Sequence, residues 1–306
     1  MIETFQQALP HGITLSCRAA GQPGRPVLLF LHGFPEAAFV WDELLAHFAQ
    51  PQHGGYRCVA PNLRGYEHSS APTEVAAYRA KPLVQDLAAL IEVITQDSPT
   101  PGQLACLVAH DWGGALAWSV AAQLPAAMRQ LAIVNAPHPA TFQRELANSP
   151  TQQASSAYMN FLARPDAPSL LAENDFARLW PFFTNMAADS GPMAWLDDAT
   201  RERYREAWNM GLHGPCAYYA ASPLRPPTAS DPGALAVQLP RERVAVKVPT
   251  LVIWGLGDTA LPEALLDGLC GHVADLRIER VPGATHWIVH EQPKQVAALI
   301  RAFLKN

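Results

Sequence analysis

The stretch Leu104-Ala105-Cys106-Leu107-Val108-Ala109-His110-Asp111-Trp112-Gly113-Gly114-Ala115-Leu116-Ala117-Trp118 decides the fold. A mostly apolar run stops at the polar pair His110-Asp111, two glycines follow, and a run rich in Ala and Leu resumes. A continuous apolar run bounded by turn residues fits a strand buried on both faces of a parallel sheet. The run after Gly114 suits a helix. Where a strand turns at once into a helix the backbones crowd, and Gly113 and Gly114 supply the room. Asp111 then stands at the carboxyl end of the sheet. An Asp in that place can also be a plain helix N-cap, and this stretch alone leaves both readings open.

Working outward, residues 5–9 and 13–19 read as a hairpin at a sheet edge, parted by His11-Gly12. Residues 27–31 form a wholly apolar strand that ends at His32-Gly33-Phe34-Pro35. Val40, Leu44, Leu45 and Phe48 have helical spacing, residues 56–60 read as a strand, and residues 61–70 as a loop. Leu83, Val84, Leu87, Leu90, Ile91 and Ile94 share one helix face, and residues 131–134 make another strand. This alternation implies an α/β protein, a mostly parallel twisted sheet with helices on both faces. In such sheets the ligand site lies beyond the carboxyl ends of the strands.

From residue 140 to about 240 no strand-like apolar run occurs. Aromatic, helix-prone segments stand there instead (158–162, 170–183 and 200–212), and prolines gather from Pro223 to Pro240. Glu202 and Arg205 lie one turn apart, and Tyr204 and Trp208 share a face. The sheet pattern returns at 249–255 and 276–281, and a helix over 295–304 closes the chain. The expected organisation is therefore a core over 1–138, an inserted all-helical cap over 139–245, and the rest of the core over 246–306.

Of the 306 residues, 49% are apolar and 16% charged, so a sizeable core is available and disorder is not expected. A net charge of -5 without a dense Lys/Arg cluster argues against nucleic acid as a partner. No signal peptide and no membrane-length apolar run is visible. Five scattered cysteines without metal spacing read as reduced thiols. A cytoplasmic protein, monomer or homodimer, with no metal is expected.

Two further polar residues follow strands: Asp258, after Trp254-Gly255-Leu256-Gly257, and His286, in Gly283-Ala284-Thr285-His286-Trp287. Singly, the first reads as an Asx turn and the second as an ordinary hydrogen-bonded histidine. Together with Asp111 they stand in the order nucleophile, acid, histidine, the chain order of an α/β-hydrolase triad. The sharp strand-to-helix turn that presents the nucleophile in such a triad, usually a Ser, is here held by Asp111.

With these residues in view the chain resembles the α/β-hydrolase-fold epoxide hydrolases over nearly its whole length. The resemblance rests on His32-Gly33-Phe34-Pro35, the loop Arg64-Gly65-Tyr66 with Ser69-Ser70, His110-Asp111-Trp112-Gly113-Gly114, Asp258 and His286. It implies an aspartate nucleophile, Asp111, and an oxyanion hole from the backbone N–H groups of Phe34 and Trp112. It also implies two lid tyrosines that hold the epoxide oxygen. Tyr158, in Tyr158-Met159-Asn160-Phe161-Leu162-Ala163-Arg164-Pro165, resembles the first; Tyr219, after Gly214-Pro215-Cys216-Ala217-Tyr218, resembles the second, with Tyr218 as the competing assignment.

The implied reaction is attack of Asp111 on an epoxide carbon, then hydrolysis of the ester by water that His286, oriented by Asp258, deprotonates. The expected partners are a small-molecule epoxide and water, without organic cofactor or metal. His32, Phe34, Pro35, Trp112 and Trp287 are the expected pocket residues, while His32 and His110 make structural hydrogen bonds rather than do chemistry. A haloalkane or haloacid dehalogenase on the same nucleophile is the second reading. Dehalogenases of this fold commonly carry Asn where Phe34 stands, and those specific for fluoroacetate carry Arg where Trp112 stands. A non-catalytic hydrolase-fold binding protein is the third, and the complete triad speaks against it.

Overall fold

The computed structural model describes residues 1–186 and 193–305; the other positions, which belong to the expected cap and the expected last core segment, lie outside them. The strands are β1 (Glu3–Ala8), β2 (Thr14–Ala20), β3 (Val27–Leu31), β4 (Arg57–Pro61), β5 (Cys106–His110), β6 (Leu131–Val134), β7 (Thr250–Gly255) and β8 (Leu276–Val281). They form one sheet in the order β1-β2-β4-β3-β5-β6-β7-β8. β1 pairs antiparallel with β2, and β2 with β4; every other pairing is parallel. The expected edge hairpin and mostly parallel sheet are both present.

The helices are α1 (Asp42–Phe48), α2 (Ala80–Ile94), α3 (Asp111–Gln123), α4 (Pro139–Asn148), α5 (Pro150–Ser155), α6 (Tyr158–Leu162), α7 (Ala167–Phe176), α8 (Trp180–Asn185), α9 (Asp198–Asn209), α10 (His213–Ala221), α11 (Arg241–Val244), α12 (Ile288–Glu291) and α13 (Pro293–Leu304). β3 shows why its strand is wholly apolar. Leu28 and Phe30 join a core with Leu44 and Phe48 of α1 and Ile300 of α13. Leu29 and Leu31 face the other way, to Leu83 and Leu87 of α2 and Leu116 of α3. Successive side chains point to opposite faces, so a sheet covered on both sides buries them all. Each such burial contributes about 1.5–3 kcal/mol.

Among the described residues no strand lies between Val134 and Thr250, and α4 to α11 occupy that stretch. These helices are tied to loops at the carboxyl ends of the strands. Trp208 Nε1 donates to the Pro35 carbonyl at 2.7 Å, Tyr218 Oη to the Arg64 carbonyl at 2.9 Å, and Gln152 Nε2 to the Ala260 carbonyl at 3.0 Å. Glu202 and Arg205 of α9 pair at 3.3 Å, and Tyr204 and Trp208 stack with ring centroids 5.5 Å apart.

Sequence and structure part company in four places. The helix expected around residues 39–48 begins as a 3-10 turn, Ala38–Trp41. The segment 170–183 is not one helix: α7 kinks near its end, where Asn174 (φ 52°) and Asp175 (φ 54°) adopt the left-handed conformation that Asn and Asp tolerate best, and α8 begins only at Trp180. α4 and α5 open with Pro139 and Pro150, prolines that fit a first turn where no N–H is needed. α10 is buried on nearly every side and so carries no amphipathic period to read.

Candidate active site

β5 ends at His110, and Asp111 is the first residue of α3 with φ 48°, a left-handed conformation costly for a residue with a Cβ. The turn closes because its neighbours lack side chains. A Cβ on Gly33 would fall 2.3 Å from Asp111 Cβ, one on Gly113 2.5 Å from the Leu31 carbonyl oxygen, and one on Gly114 2.2 Å from Ala136 Cβ. The cap position belongs to His110, and Asp111 is turned instead toward the loop after β3, where the Phe34 N–H donates to its Oδ1 at 2.7 Å.

Asp258 and His286 come to the same rim from the loops after β7 and β8. The Asx-turn reading of Asp258 holds for one of its oxygens: Oδ1 accepts the N–H groups of Ala260 and Leu261, both at 2.9 Å. The other oxygen, Oδ2, lies 2.7 Å from His286 Nδ1 and accepts Asn135 Nδ2 at 2.8 Å. His286 Nε2 lies 3.8 Å from Asp111 Oδ2, longer than a hydrogen bond. Burial disfavours a charged His286, but the carboxylates of Asp258 and Asp111, with Glu36 behind them, outweigh it and push the imidazole up to about 9.

Tyr158 at the start of α6 and Tyr219 in α10 meet Asp111 and Trp112 around a cavity of ≈ 330 Å³. The two phenol rings lie 6.1 Å apart, and Tyr219 packs edge-on against Phe34 and Trp112, each at 5.2 Å. Burial, followed by the nearby Asp111 charge, raises Tyr158; burial, then Tyr158 and Asp111, raises Tyr219. Both phenols therefore stay protonated and are hydrogen-bond donors at neutral pH. Tyr218 also borders the cavity, but its hydroxyl is committed to the Arg64 carbonyl.

Of the expected pocket residues, Trp112 lines this cavity and Phe34 touches the site through its N–H and its ring edge. His32, Pro35 and Trp287 do not line it. His32 is wholly buried beneath the rim, accepts the Leu63 N–H at 3.1 Å, and is pushed down to about 4 by that burial. Pro35 faces away toward α9, and Trp287 is buried with its Nε1 donating to the Phe182 carbonyl at 3.3 Å.

Two polar residues support the site without having been singled out from sequence. Asn135, left-handed at φ 38° after β6, holds Asp258 with its Nδ2 and accepts the Gly255 N–H with its Oδ1 at 2.9 Å. Glu36 is fully buried beside His110 Nδ1 at 2.9 Å and His290 Nε2 at 2.7 Å. Burial would raise its pKa, but these two histidines hold the carboxyl below its ordinary value. His110 Nε2 in turn lies 2.9 Å from the His286 carbonyl, so Glu36 braces the backbone that carries His286. The signal available for Glu36 was its place directly after His32-Gly33-Phe34-Pro35; for Asn135, its place directly after β6. Among the described residues no cluster of three or more His, Cys, Asp or Glu could hold a metal ion. No helix there is long and apolar enough to cross a membrane.

A wound parallel sheet with an acid, a histidine and a left-handed carboxylate on its carboxyl rim defines an α/β hydrolase. The model of the alpha/beta hydrolase fold family matches residues 26–293, and the chain belongs to that family. Several of its relatives within that family are epoxide hydrolases. Epoxide hydrolase 3 of Xenopus tropicalis is 33% identical over 96% of this chain and 76% of its own length. The AB hydrolase superfamily protein YfhM of Bacillus subtilis is also 33% identical, over 97% of this chain and 96% of its own. Among solved structures, one of a group of novel epoxide hydrolases from metagenomes of hot environments superposes with a TM-score of 0.85 at 35% identity, covering 99% of both chains. The Bacillus megaterium epoxide hydrolase bound to an inhibitor superposes with a TM-score of 0.86 at 27% identity, over 99% of this chain and 100% of its own.

Proposed function

We propose that this chain opens an epoxide to a vicinal diol through an ester on Asp111, with residues 139–245 acting as the cap over the site. The observation that carries the reading is the pair of protonated phenols, Tyr158 and Tyr219, on the same cavity as the Asp111 carboxylate. Asp111 Oδ1 is held by the Phe34 N–H, which leaves Oδ2 to attack the epoxide carbon. The breaking C–O bond puts negative charge on oxygen, and the phenols donate to it as it develops. An alkoxide needs such an acid; a departing halide does not, so the tyrosine pair favours an epoxide over a dehalogenase substrate.

Esterification removes the charge of Asp111, one of the causes that raise His286. The imidazole then loses its proton more readily and becomes the base for the second step. Water loses a proton to His286 Nε2 and adds to Cγ of the ester. The tetrahedral oxyanion forms at Oδ1, facing the N–H groups of Phe34 and Trp112. The tetrahedral species collapses with the Cγ–Oδ2 bond breaking, and His286 Nε2–H protonates the departing Oδ2. The second water proton restores the phenol that protonated the epoxide oxygen, and the diol leaves with the water oxygen kept in the Asp111 carboxylate. A carboxylate suits this sequence because its ester can be hydrolysed, whereas the ether formed by a serine could not. The test is one turnover of styrene oxide in heavy-oxygen water. Label is expected in the Asp111 carboxylate and not in the first diol; label wholly in that diol would show direct attack of water.

A further inference from the structure

The loop Arg64-Gly65-Tyr66 takes no part in the reaction above, yet it carries an ion pair that is buried on both sides. Arg64 Nε and Nη2 donate to the two oxygens of Asp86 on α2 at 2.7 and 2.6 Å, and Nη1 donates to the Ala77 carbonyl at 2.9 Å. His11 Nε2, in the turn between β1 and β2, lies 2.6 Å from Asp86 Oδ1, so the carboxylate is held from a second side. The planar fork of a guanidinium gives such a pair a defined orientation. A buried ion pair adds little stability, because desolvation of two charges offsets their attraction and apolar residues of similar volume serve as well. What this pair supplies is a fixed place for the backbone at Arg64.

That backbone is where the helical segment 139–245 meets the sheet. The Arg64 carbonyl accepts the Tyr218 hydroxyl at 2.9 Å. Gly65 (φ 86°) lies against the first turn of α10 so closely that a Cβ on Gly214 would fall 2.4 Å from Gly65 Cα. α10 has no side-chain cap at its amino end. With His213 Nε2 2.9 Å from the Thr73 carbonyl, these contacts set the height and rotation of the helix. Tyr218 and Tyr219 are consecutive, about 100° apart around it, so the bond that fixes the first directs the second. At a radius of about 5–6 Å including side chains, a rotation of about 10° shifts a side-chain tip by about 1 Å. Misplacement of that size costs about a hundredfold in rate.

The geometry points to Arg64 and Asp86 as positioning residues for Tyr219: their ion pair sets the Arg64-Gly65 backbone on which α10 rests, and through Gly214 and Tyr218 fixes where the Tyr219 hydroxyl stands. This rests on the epoxide-opening reading above and assigns the pair to its first step. The base of the loop is held separately, by the Leu63 N–H on His32 Nε2 at 3.1 Å and by Ser69 Oγ on the Asn62 carbonyl at 2.6 Å. Ester hydrolysis, which uses Phe34, Asp258 and His286, therefore does not depend on the pair.

The experiment follows single turnovers of styrene oxide by rapid quench, which reads ester formation and ester decay separately. Asp86→Asn breaks the fork, and Arg64→Lys keeps the charge without it. The double change Arg64→Met with Asp86→Leu removes both charges and fills the space, and so is expected to fold. Each should slow ester formation by about tenfold to a hundredfold and leave decay within about threefold of wild type. In a chain that also carries Tyr219→Phe, the same changes should slow ester formation by no more than about threefold further, because the hydroxyl they misplace is gone. The proposal is overturned if the double variant, folded by circular dichroism, forms the ester at the wild-type rate. It is overturned too if the losses fall alike on formation and decay, or multiply in full with that of Tyr219→Phe. Arg64→Lys, which leaves the buried carboxylate paired, decides the matter by the same readings if the others do not fold. A wild type that does not open styrene oxide, or opens it without an ester, removes the epoxide reading itself, and this proposal with it.

Discussion

Replacing Asp258 with asparagine isolates the orienting carboxylate, because its neighbours dictate how the amide must sit. Oδ1 accepts two backbone N–H groups, Ala260 and Leu261, at 2.9 Å each, and neither can turn away without undoing the loop. The amide oxygen must therefore take that side. Its NH₂ then replaces Oδ2 and faces His286 Nδ1, formerly at 2.7 Å, and Asn135 Nδ2, formerly at 2.8 Å. Asn135 cannot flip to accept it without giving up the Gly255 N–H held by its own Oδ1. His286 relieves the clash by moving its proton to Nε2, which then cannot take one from water. In serine proteases the same change of acid to amide, with the wrong tautomer, lowers kcat about 10⁴-fold, or about 5.4 kcal/mol on the barrier.

Here the loss should fall on ester hydrolysis, since in the proposed reaction Asp111 and the tyrosines carry the first step. Rapid quench with intact-mass detection should show the ester of Asp258→Asn forming near the wild-type rate and accumulating to one per chain. Diol release should slow by about 10⁴, and nitrogen NMR of the imidazole should report Nε2–H. Diol release within about tenfold of wild type, or an Nδ1–H imidazole, would refute the reasoning.

Tyr158→Phe and Tyr219→Phe should each slow ester formation by about 10² to 10⁴, as loss of an acid does. Tyr218→Phe loses only its bond to the Arg64 carbonyl, so urea unfolding should show a cost of about 1 kcal/mol while ester formation persists. An equal kinetic loss at Tyr218 would contradict the assignment. His286 sits at about 9 while Asp111 is charged, and esterification removes that charge, so single-turnover ester decay should rise with pH to a plateau with its midpoint below that value. Decay that instead slows as pH rises would exclude His286 as the base. Gly33→Ala would place a Cβ 2.4 Å from Asp111 Oδ1. The nucleophile must shift, and kcat/KM should fall about 10²-fold or more, the usual scale for an ångström of misplacement; unchanged kinetics would show that the loop yields.

The sequence by itself determined the sheet, its helices and the order of Asp111, Asp258 and His286. Those features are written locally, in apolar runs of strand length, in helical spacing, and in glycines where backbones must crowd. The strand-to-helix turn at Asp111 is legible because Gly113 and Gly114 follow it closely in the chain. Tertiary structure alone decided what depends on direction. Tyr218 and Tyr219 are neighbours on a helix with no polar face, and only their surroundings separate the one bonded to Arg64 from the one facing the cavity. His32, Pro35 and Trp287 stand beside site residues in the chain yet point elsewhere. Asn135 and Glu36 matter through partners 123 and 74 positions away, Asp258 and His110. A single sequence records no such contact, because a hydrogen bond across the sheet is set by where the backbones meet and leaves no local period behind.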